Sequence, residues 1–231
     1  MQASVVLPTF NERENIGNLI KTIEEIFEKN SIDGEIIVVD DNSPDGTAII
    51  SQKLADEYRN IKVIFRPQPM GVGSAVRDGI KHATKDTIVL MDCDFSHPPA
   101  LIPKLIMGTK HADIVVASRY VSNGGMVAPR IRVLASRIVN FFVRLVVNIP
   151  VNDATGGYHA IKKYIFDKFD FTTPYGDYDI ELLGKAVKKG FKVVEYPYLY
   201  QFRETGISKT FSIKYVLRYF LTALKVRIGF L

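Results

Sequence analysis

Short runs of Val, Ile and Leu recur through the first half of the chain, each followed by a stretch of helical length. "SVVLPTF" (4–10), "EIIVVDD" (35–41), "IKVIF" (61–65), "DTIVLMD" (86–92) and "ADIVVAS" (112–118) are rich in β-branched residues and lack polar alternation. Strands of that kind are covered on both faces, as in a parallel sheet. The segments between them, 12–29, 46–58, 71–83 and 98–109, are long enough for helices. The alternation predicts an α/β fold, a mostly parallel sheet wound with right-handed crossovers and flanked by helices. Ligands of such sheets bind beyond the carboxyl ends of the strands. Here those ends read "PTFNE", "DDNSPDGT" and "DCD", all polar.

After residue 120 the rhythm changes. "VSNGG" predicts a loop, 131–149 a long helix, "YHAIKK" a further strand and 179–189 a helix. "KVVEYPYLY" predicts a strand interrupted by Pro197, "RETGISKTFS" a loop, and 211–231 a final helix. With no internal repeat and no long linker, the expected organisation is one domain over 1–210 and an amphipathic helix over 211–231.

Composition alters this picture little. At 231 residues, 47% hydrophobic and 24% charged, the chain is an ordinary globular one, which excludes disorder. A single cysteine excludes a disulfide framework and a cysteine-rich metal site. The net charge of +5 suits polyanionic partners, and the basic residues concentrate after Arg119 and in the last twenty positions. No motif of a nucleic-acid binder accompanies them, so no nucleic-acid partner is expected. No run reaches the about 18 apolar residues of a membrane span. The absence of a signal peptide at Met1 points to the cytoplasm or the cytoplasmic face of a membrane.

The chemistry begins with "IVLMDCDFSHPPALI" (88–102), where an apolar strand runs into two aspartates one residue apart. In an extended segment Asp92 and Asp94 point to the same side, within reach of one divalent cation. Oxygen ligands favour Mg2+ or Mn2+, held together with substrate phosphates. Ser96 is a candidate third ligand, and His97 reads as a structural loop residue. In "PTFNERENI" Glu12 and Glu14 suit a helix N-terminus, with Asn11 as its cap. Phe10 at the strand end suits covering a base or ribose, and Glu12, Asp40 and Asp41 suit accepting hydrogen bonds from one. "MGVGSAVRDGI" (70–80) lacks the spacing of a phosphate loop and reads as a tight turn into a helix.

"VVLPTFNERENI", "IIVVDDNSPDGT", "PMGVGSAVRDGI", "VLMDCDFSHPP", "ASRYVSNGG" and "DATGGYHAIKK" stand in the order found in family 2 glycosyltransferases of the GT-A fold. Within these the chain resembles the polyprenol-phosphate (dolichol-phosphate) mannose synthases, over about residues 3–210. The resemblance implies inverting transfer of mannose from GDP-mannose to a polyprenyl or dolichyl phosphate, with Mg2+ or Mn2+ at Asp92 and Asp94. It also implies nucleotide contacts from Pro8, Phe10, Glu12, Val38, Asp40 and the Cys93 backbone. Arg203 and Lys209, in "RETGISK", match diphosphate ligands. Arg119, Arg132 and Ser136 match the acceptor-phosphate site, and Asp94, Arg119 and Arg132 are the expected catalytic residues. Phe10 replaces the usual Tyr, Ser96 stands where some members have Gln, and "YDIE" (178–181) departs from "FQLE".

A phosphate monoester with a second pKa of about 6 is already largely ionised, so such an acceptor needs positioning by arginines and not a general base. The rival readings are the same chemistry with UDP-glucose, a hydroxyl acceptor with a base near Asp153 or Glu181, and a sugar-nucleotide binder without catalysis. Two helices bear on the lipid. One side of 131–149 carries Arg132, Ser136, Asn140 and Arg144, and the other Leu134, Ile138, Phe141 and Leu145. The helix over 211–231 is apolar around most of its circumference. A membrane interface, a membrane-anchoring subunit, self-association or membrane spans beyond Leu231 would each cover it.

Overall fold

The computed structural model describes residues 1–201 and 213–231, and the strand–helix alternation is its frame. β1 (Gln2–Thr9), β2 (Asp33–Asp40), β3 (Ile61–Phe65) and β4 (Thr87–Leu90) pair in parallel, linked by α1 (Arg13–Lys29), α2 (Thr47–Glu57) and α3 (Val72–His82). There follow α4 (Ile102–Gly108), β5 (Ile114–Ser118), β6 (Gly125–Val127), α5 (Arg130–Val147) and β7 (His159–Lys162). The chain continues with α6 (Tyr178–Lys188), β8 (Val193–Pro197), β9 (Leu199–Gln201) and α7 (Ile213–Ile228). The main sheet has the order β3-β2-β1-β4-β7-β5-β8, and β6 pairs with β9 in a small second sheet.

β1, β2, β4 and β5 are buried along most of their length, which is why their sequences show no alternation. β7 runs antiparallel between β4 and β5, a direction that the short segment His-Ala-Ile-Lys does not encode. Pro197 divides the expected last strand into β8 and β9, which belong to different sheets. The chain winds outward from β1 to β3 and returns to place β4 on the other side of β1. That reversal opens a crevice beyond Thr9 and Leu90, where a doubly wound sheet binds its ligand.

Glu35 locks the opposite end of the sheet. Its carboxylate is 5% exposed and accepts bonds from Ser4 Oγ (2.6 Å), Lys62 Nζ (2.9 Å), Thr84 N–H (2.5 Å) and Thr84 Oγ1 (2.8 Å). Burial alone raises its pKa, but these bonds together outweigh burial and hold it at about 2. The folded-state value lies below the unfolded one of 4.5, so this stabilisation is present above that value and is lost as pH falls from there through about 2. Denaturant midpoints from pH 6 to pH 2 should therefore fall more steeply for wild type than for Glu35→Gln. Parallel curves would remove Glu35 from the account.

The two predicted amphipathic helices form, and α5 is inverted relative to an ordinary surface helix. Its polar Asn140 is buried, whereas Ile131, Leu134, Ile138, Phe141 and Leu145 are 55–70% exposed. A second apolar edge, Val139, Val143 and Val147, supplies the packing. Asn148 ends the helix in the left-handed region (φ 59°), its N–H bonded to the Arg144 carbonyl. α7 lies against α5 and α6. Thr222, Ala223 and Val226 are buried, and Phe220 meets Phe142 edge-on at 4.3 Å. A Cβ on Gly184 of α6 would lie 2.5 Å from Val226 Cγ1, so glycine is required for α7 to approach this closely. The outer side of α7 leaves Leu217, Leu221, Leu224 and Ile228 exposed.

Candidate active site

The Asp-Cys-Asp turn begins two residues past β4 and is braced from below. His97 is 1% exposed, stacks on Tyr158 (4.9 Å, 12° between planes) and meets the edge of Tyr198. The Asp92 N–H donates to its Nδ1 (2.9 Å), which assigns the ring proton to Nε2, 3.9 Å from Asp92 Oδ2. Burial first, then Arg119 and His159, pushes the His97 pKa down to about 4, so the ring is neutral at physiological pH. Asp94 Oδ1 accepts from Ser96 N–H (3.1 Å) and Ser96 Oγ (2.5 Å). Between them Phe95 takes φ 59°, a conformation disfavoured for a bulky residue and sustained by the bonds on either side. The turn is rigid, and it aims Asp92 outward: this side chain is 48% exposed.

Beyond β1 and β4 lies a chamber of about 470 Å³. Pro8, Phe10, Glu12, Asp92, Cys93 and Asp94 all line it. Asp41 adds a further carboxylate, although it also accepts the Met70 and Gly71 N–H groups (both 2.9 Å) and so folds the neighbouring loop. Gly71, with φ +92°, is required there, because a Cβ would lie 2.3 Å from the Pro174 carbonyl oxygen. That same oxygen accepts the Gly73 and Ser74 amides at the start of α3, as expected of a tight turn and not a phosphate loop. Tyr175, Tyr178 and Asp179 form the far wall, with Tyr215 and Tyr219 of α7. The Cys93 thiol is pushed well up by burial and then by Glu12, Asp92, Asp94 and Asp40, so negative charge converges on this spot.

A smaller chamber of about 160 Å³ adjoins the first. Asp92, Thr155, Gly156, Tyr200 and Tyr219 line both, so the two meet at Asp92. The inner side of α5 provides Arg132 and Ser136, one turn apart, and the end of β5 leads into Arg119. Ser136 Oγ accepts from Tyr120 Oη (2.6 Å). Arg119 donates from Nε and Nη2 to Asp153 (2.7 and 2.6 Å), and Nη2 reaches Thr155 Oγ1 (3.3 Å). Its guanidinium also lies over the Tyr120 and Tyr200 rings, at 5.2 and 5.7 Å. Asn140 joins α5 to the opposite loop, donating to Thr155 Oγ1 (2.9 Å) and accepting the Ala154 N–H (2.7 Å).

Most predicted site residues therefore come together, in two groups. Pro8, Phe10, Glu12, Asp92, Cys93 and Asp94 surround the larger chamber, and Arg119, Arg132 and Ser136 the smaller. Three expectations differ. Val38 is fully buried in the core, and Asp40 is held by Thr9 Oγ1, Ser43 N–H and Ser43 Oγ, so neither lines a chamber. Ser96 is 2% exposed and braces Asp94, lining neither chamber. Asn11 does not cap α1: Asp45 and Thr47 of the next turn accept the Arg13 and Glu12 amides. Arg203 and Lys209 lie outside the described residues. Sequence reasoning missed Thr155, Asp179 and the tyrosines of α7. The "DATGGY" run and tyrosines placed within an apolar helix were the available signals.

Comparison with known proteins gives a consistent result. The model of the family described as glycosyl transferase family 2 matches residues 4–170. A dolichol-phosphate mannosyltransferase of Pyrococcus furiosus is 37% identical over 217 residues, 90% of this chain and 59% of that protein. A polyprenol monophosphomannose synthase of Mycolicibacterium smegmatis is 32% identical over 215 residues, 89% of this chain and 79% of that protein. The chain thus spans about three-fifths of the length of the first relative and four-fifths of the second. Among solved structures, glucosyl-3-phosphoglycerate synthase from Mycobacterium tuberculosis, in complex with Mn2+, UDP and glucosyl-3-phosphoglycerate, superposes with a TM-score of 0.73 at 22% identity. That match covers 99% of this chain and 80% of the other, and at this identity it speaks for the fold. The same enzyme has also been solved with Mg2+ and UDP. The sheet, its crevice and the family match agree: this chain belongs to glycosyl transferase family 2, on a GT-A fold.

Proposed function

We propose that this protein transfers mannose from GDP-mannose to a polyprenyl or dolichyl phosphate with inversion at the anomeric carbon. The observation that carries the reading is the pair of chambers joined at Asp92, one lined by carboxylates and the other by two arginines. In this reading the larger chamber holds the nucleotide, with Phe10 against it and Glu12 accepting hydrogen bonds from it. Asp92 and Asp94 offer hard oxygen ligands where negative charge already lifts the Cys93 thiol, which fits a divalent cation. Mg2+ or Mn2+ held there supplies charge neutralisation to the departing diphosphate. Arg203 and Lys209 are proposed to share that task.

The smaller chamber fits an acceptor that arrives ionised. Among the described residues lining it, Asp92 is the sole acid, and Arg119 and Arg132 line it as well. The two acids a hydroxyl acceptor could have used as base are occupied elsewhere. Asp153 is tied to Arg119, and Glu181 accepts the Thr172 and Thr173 amides with Lys185. Arg132 and Ser136 orient the phosphate so that one oxygen faces the anomeric carbon, and no proton need be removed.

The lipid tail supports a location at a membrane surface, taken as the cytoplasmic face. No described helix is long and apolar enough to cross a membrane. However, α5 and α7 contain no Asp or Glu, their outer sides are apolar, and Arg130, Arg137, Arg144, Lys225 and Arg227 are exposed beside them. That combination is complementary to an anionic bilayer. Labelled transfer to a short polyprenyl phosphate tests the function, with GDP-mannose against UDP-glucose, and the unphosphorylated polyprenol as control. Metal-dependent transfer from GDP-mannose to the phosphate alone is the expected result. Transfer to the free alcohol would overturn the acceptor, and transfer from UDP-glucose the donor.

A further inference from the structure

α7 is a single helix with three surfaces in use. Its inner side supplies Tyr215 and Tyr219 to the nucleotide chamber and Val216 to the acceptor chamber. Its outer side is the exposed Leu217, Leu221, Leu224 and Ile228. Its third side is latched to the loop before α6. Asp177, 3% exposed, accepts from Thr222 Oγ1 (2.7 Å) and Arg218 Nη2 (3.3 Å), and the Arg218 guanidinium lies 3.9 Å over the Tyr175 ring. Tyr175 and Gly176, immediately before Asp177, also line the nucleotide chamber. The latch therefore joins two walls of that chamber.

The packing of α7 is thin compared with that of α1, α3 and α6. Among its described side chains only Thr222, Ala223 and Val226 are buried, fewer than the four large apolar groups left bare. Elements with little buried contact open at the lowest free energy. A nucleotide in the chamber and a bilayer on the outer face both favour the seated helix. Two ligands that select the same state strengthen one another, by equal factors.

We propose that α7, latched through Asp177, couples the two, so that contact with an anionic bilayer tightens nucleotide binding. This rests on the nucleotide and membrane readings above and adds the link between them. The test is the Kd of GDP with Mn2+, alone and with vesicles of phosphatidylglycerol and phosphatidylcholine in equal parts, beside co-sedimentation. Wild type should co-sediment and bind GDP about fivefold or more tightly with vesicles, the lower end of typical couplings. Leu221→Glu, on the outer face, should bind GDP as wild type does without vesicles and gain nothing from them. Asp177→Asn should still co-sediment but lose most of the gain. Thr222→Val makes the same test should Asp177→Asn not fold. An unchanged wild-type Kd despite co-sedimentation overturns the coupling alone. A wild-type dimer dispersed by Leu221→Glu, with no vesicle binding, replaces the bilayer by a second copy. Failure of both GDP and UDP to bind under any condition removes the nucleotide reading itself.

Discussion

Exchange of Asp92 for asparagine is expected to lower kcat/KM for sugar transfer about a hundred- to a thousandfold, the scale of losing one preorganised charge interaction. The thermal midpoint should hardly move. The Asp92 side chain is 48% exposed at the junction of the chambers, and its backbone N–H, which the substitution keeps, donates to His97 Nδ1. Asp94→Asn should lose activity to a similar degree and stability as well. Its carboxylate is 7% exposed and accepts both the amide and the hydroxyl of Ser96, and an amide nitrogen turned towards them leaves two buried donors unpaired. Transfer rates and thermal unfolding of the two variants separate these roles. Near-wild-type transfer by Asp92→Asn would sink the assignment of the junction as the reaction centre.

The contrast between these aspartates indicates how much of the site the sequence could convey. Residues whose roles depend on strand ends were legible, because a doubly buried strand announces itself and its carboxyl end follows. Phe10, Glu12, Asp92 and Asp94 were found in this way, all within a few residues of β1 or β4, whereas Pro8 came from the family resemblance. Legibility failed where a role depends on what lies across the fold. Asp40 and Asp41 are adjacent in sequence, yet Asp40 is bound by Thr9 and Ser43 whereas Asp41 faces the chamber. Nothing in "VVDD" distinguishes them. Ser96 had the chemistry of a ligand, and its geometry makes it a brace. Helical periodicity gave α5 two correct faces but not their direction. An acceptor chamber needs a polar wall, so Arg132, Ser136 and Asn140 turn inward and the bulky apolar side is left outside.

The acceptor chamber also separates two kinds of arginine that look alike in sequence. Arg132 is half-buried at the start of α5, beside Ser136, where its charge can meet an incoming phosphate. Arg119 is 8% exposed and its charge is largely compensated by Asp153, whose carboxyl is held below its usual range by Arg119 in spite of burial. A chamber whose floor is the fixed Arg119–Asp153 pair, and which Arg132 of α5 also lines, offers a dianion guanidinium groups from two separate elements. The acceptor contacts are thus divided between an ion-paired arginine at the end of β5 and an arginine of α5.

That division leads to the largest stability effect expected of any single change here. Asp153→Ala leaves the Arg119 guanidinium buried without its partner, a loss of about 3–5 kcal/mol for a broken buried pair. At about 2–4 °C per kcal/mol for a chain of this size, the midpoint should fall by about 6–20 °C. The single variant alone would be ambiguous, since an unfolded enzyme is also inactive. Arg119→Met combined with Asp153→Leu removes both charges and fills the space with apolar groups, which is commonly neutral or stabilising for a buried pair. The double variant should recover most of the lost stability and still fail to transfer sugar, because neither replacement can hydrogen-bond a phosphate. GDP binding, measured beside activity, should survive in it, since Arg119 lines the acceptor chamber and not the nucleotide chamber. If the double variant were as unstable as Asp153→Ala, the pair would be irreplaceable packing and the charge argument would fall. If it were stable and active, Arg132 alone would suffice for the acceptor, and the floor formed by Arg119 and Asp153 would have no part in catalysis.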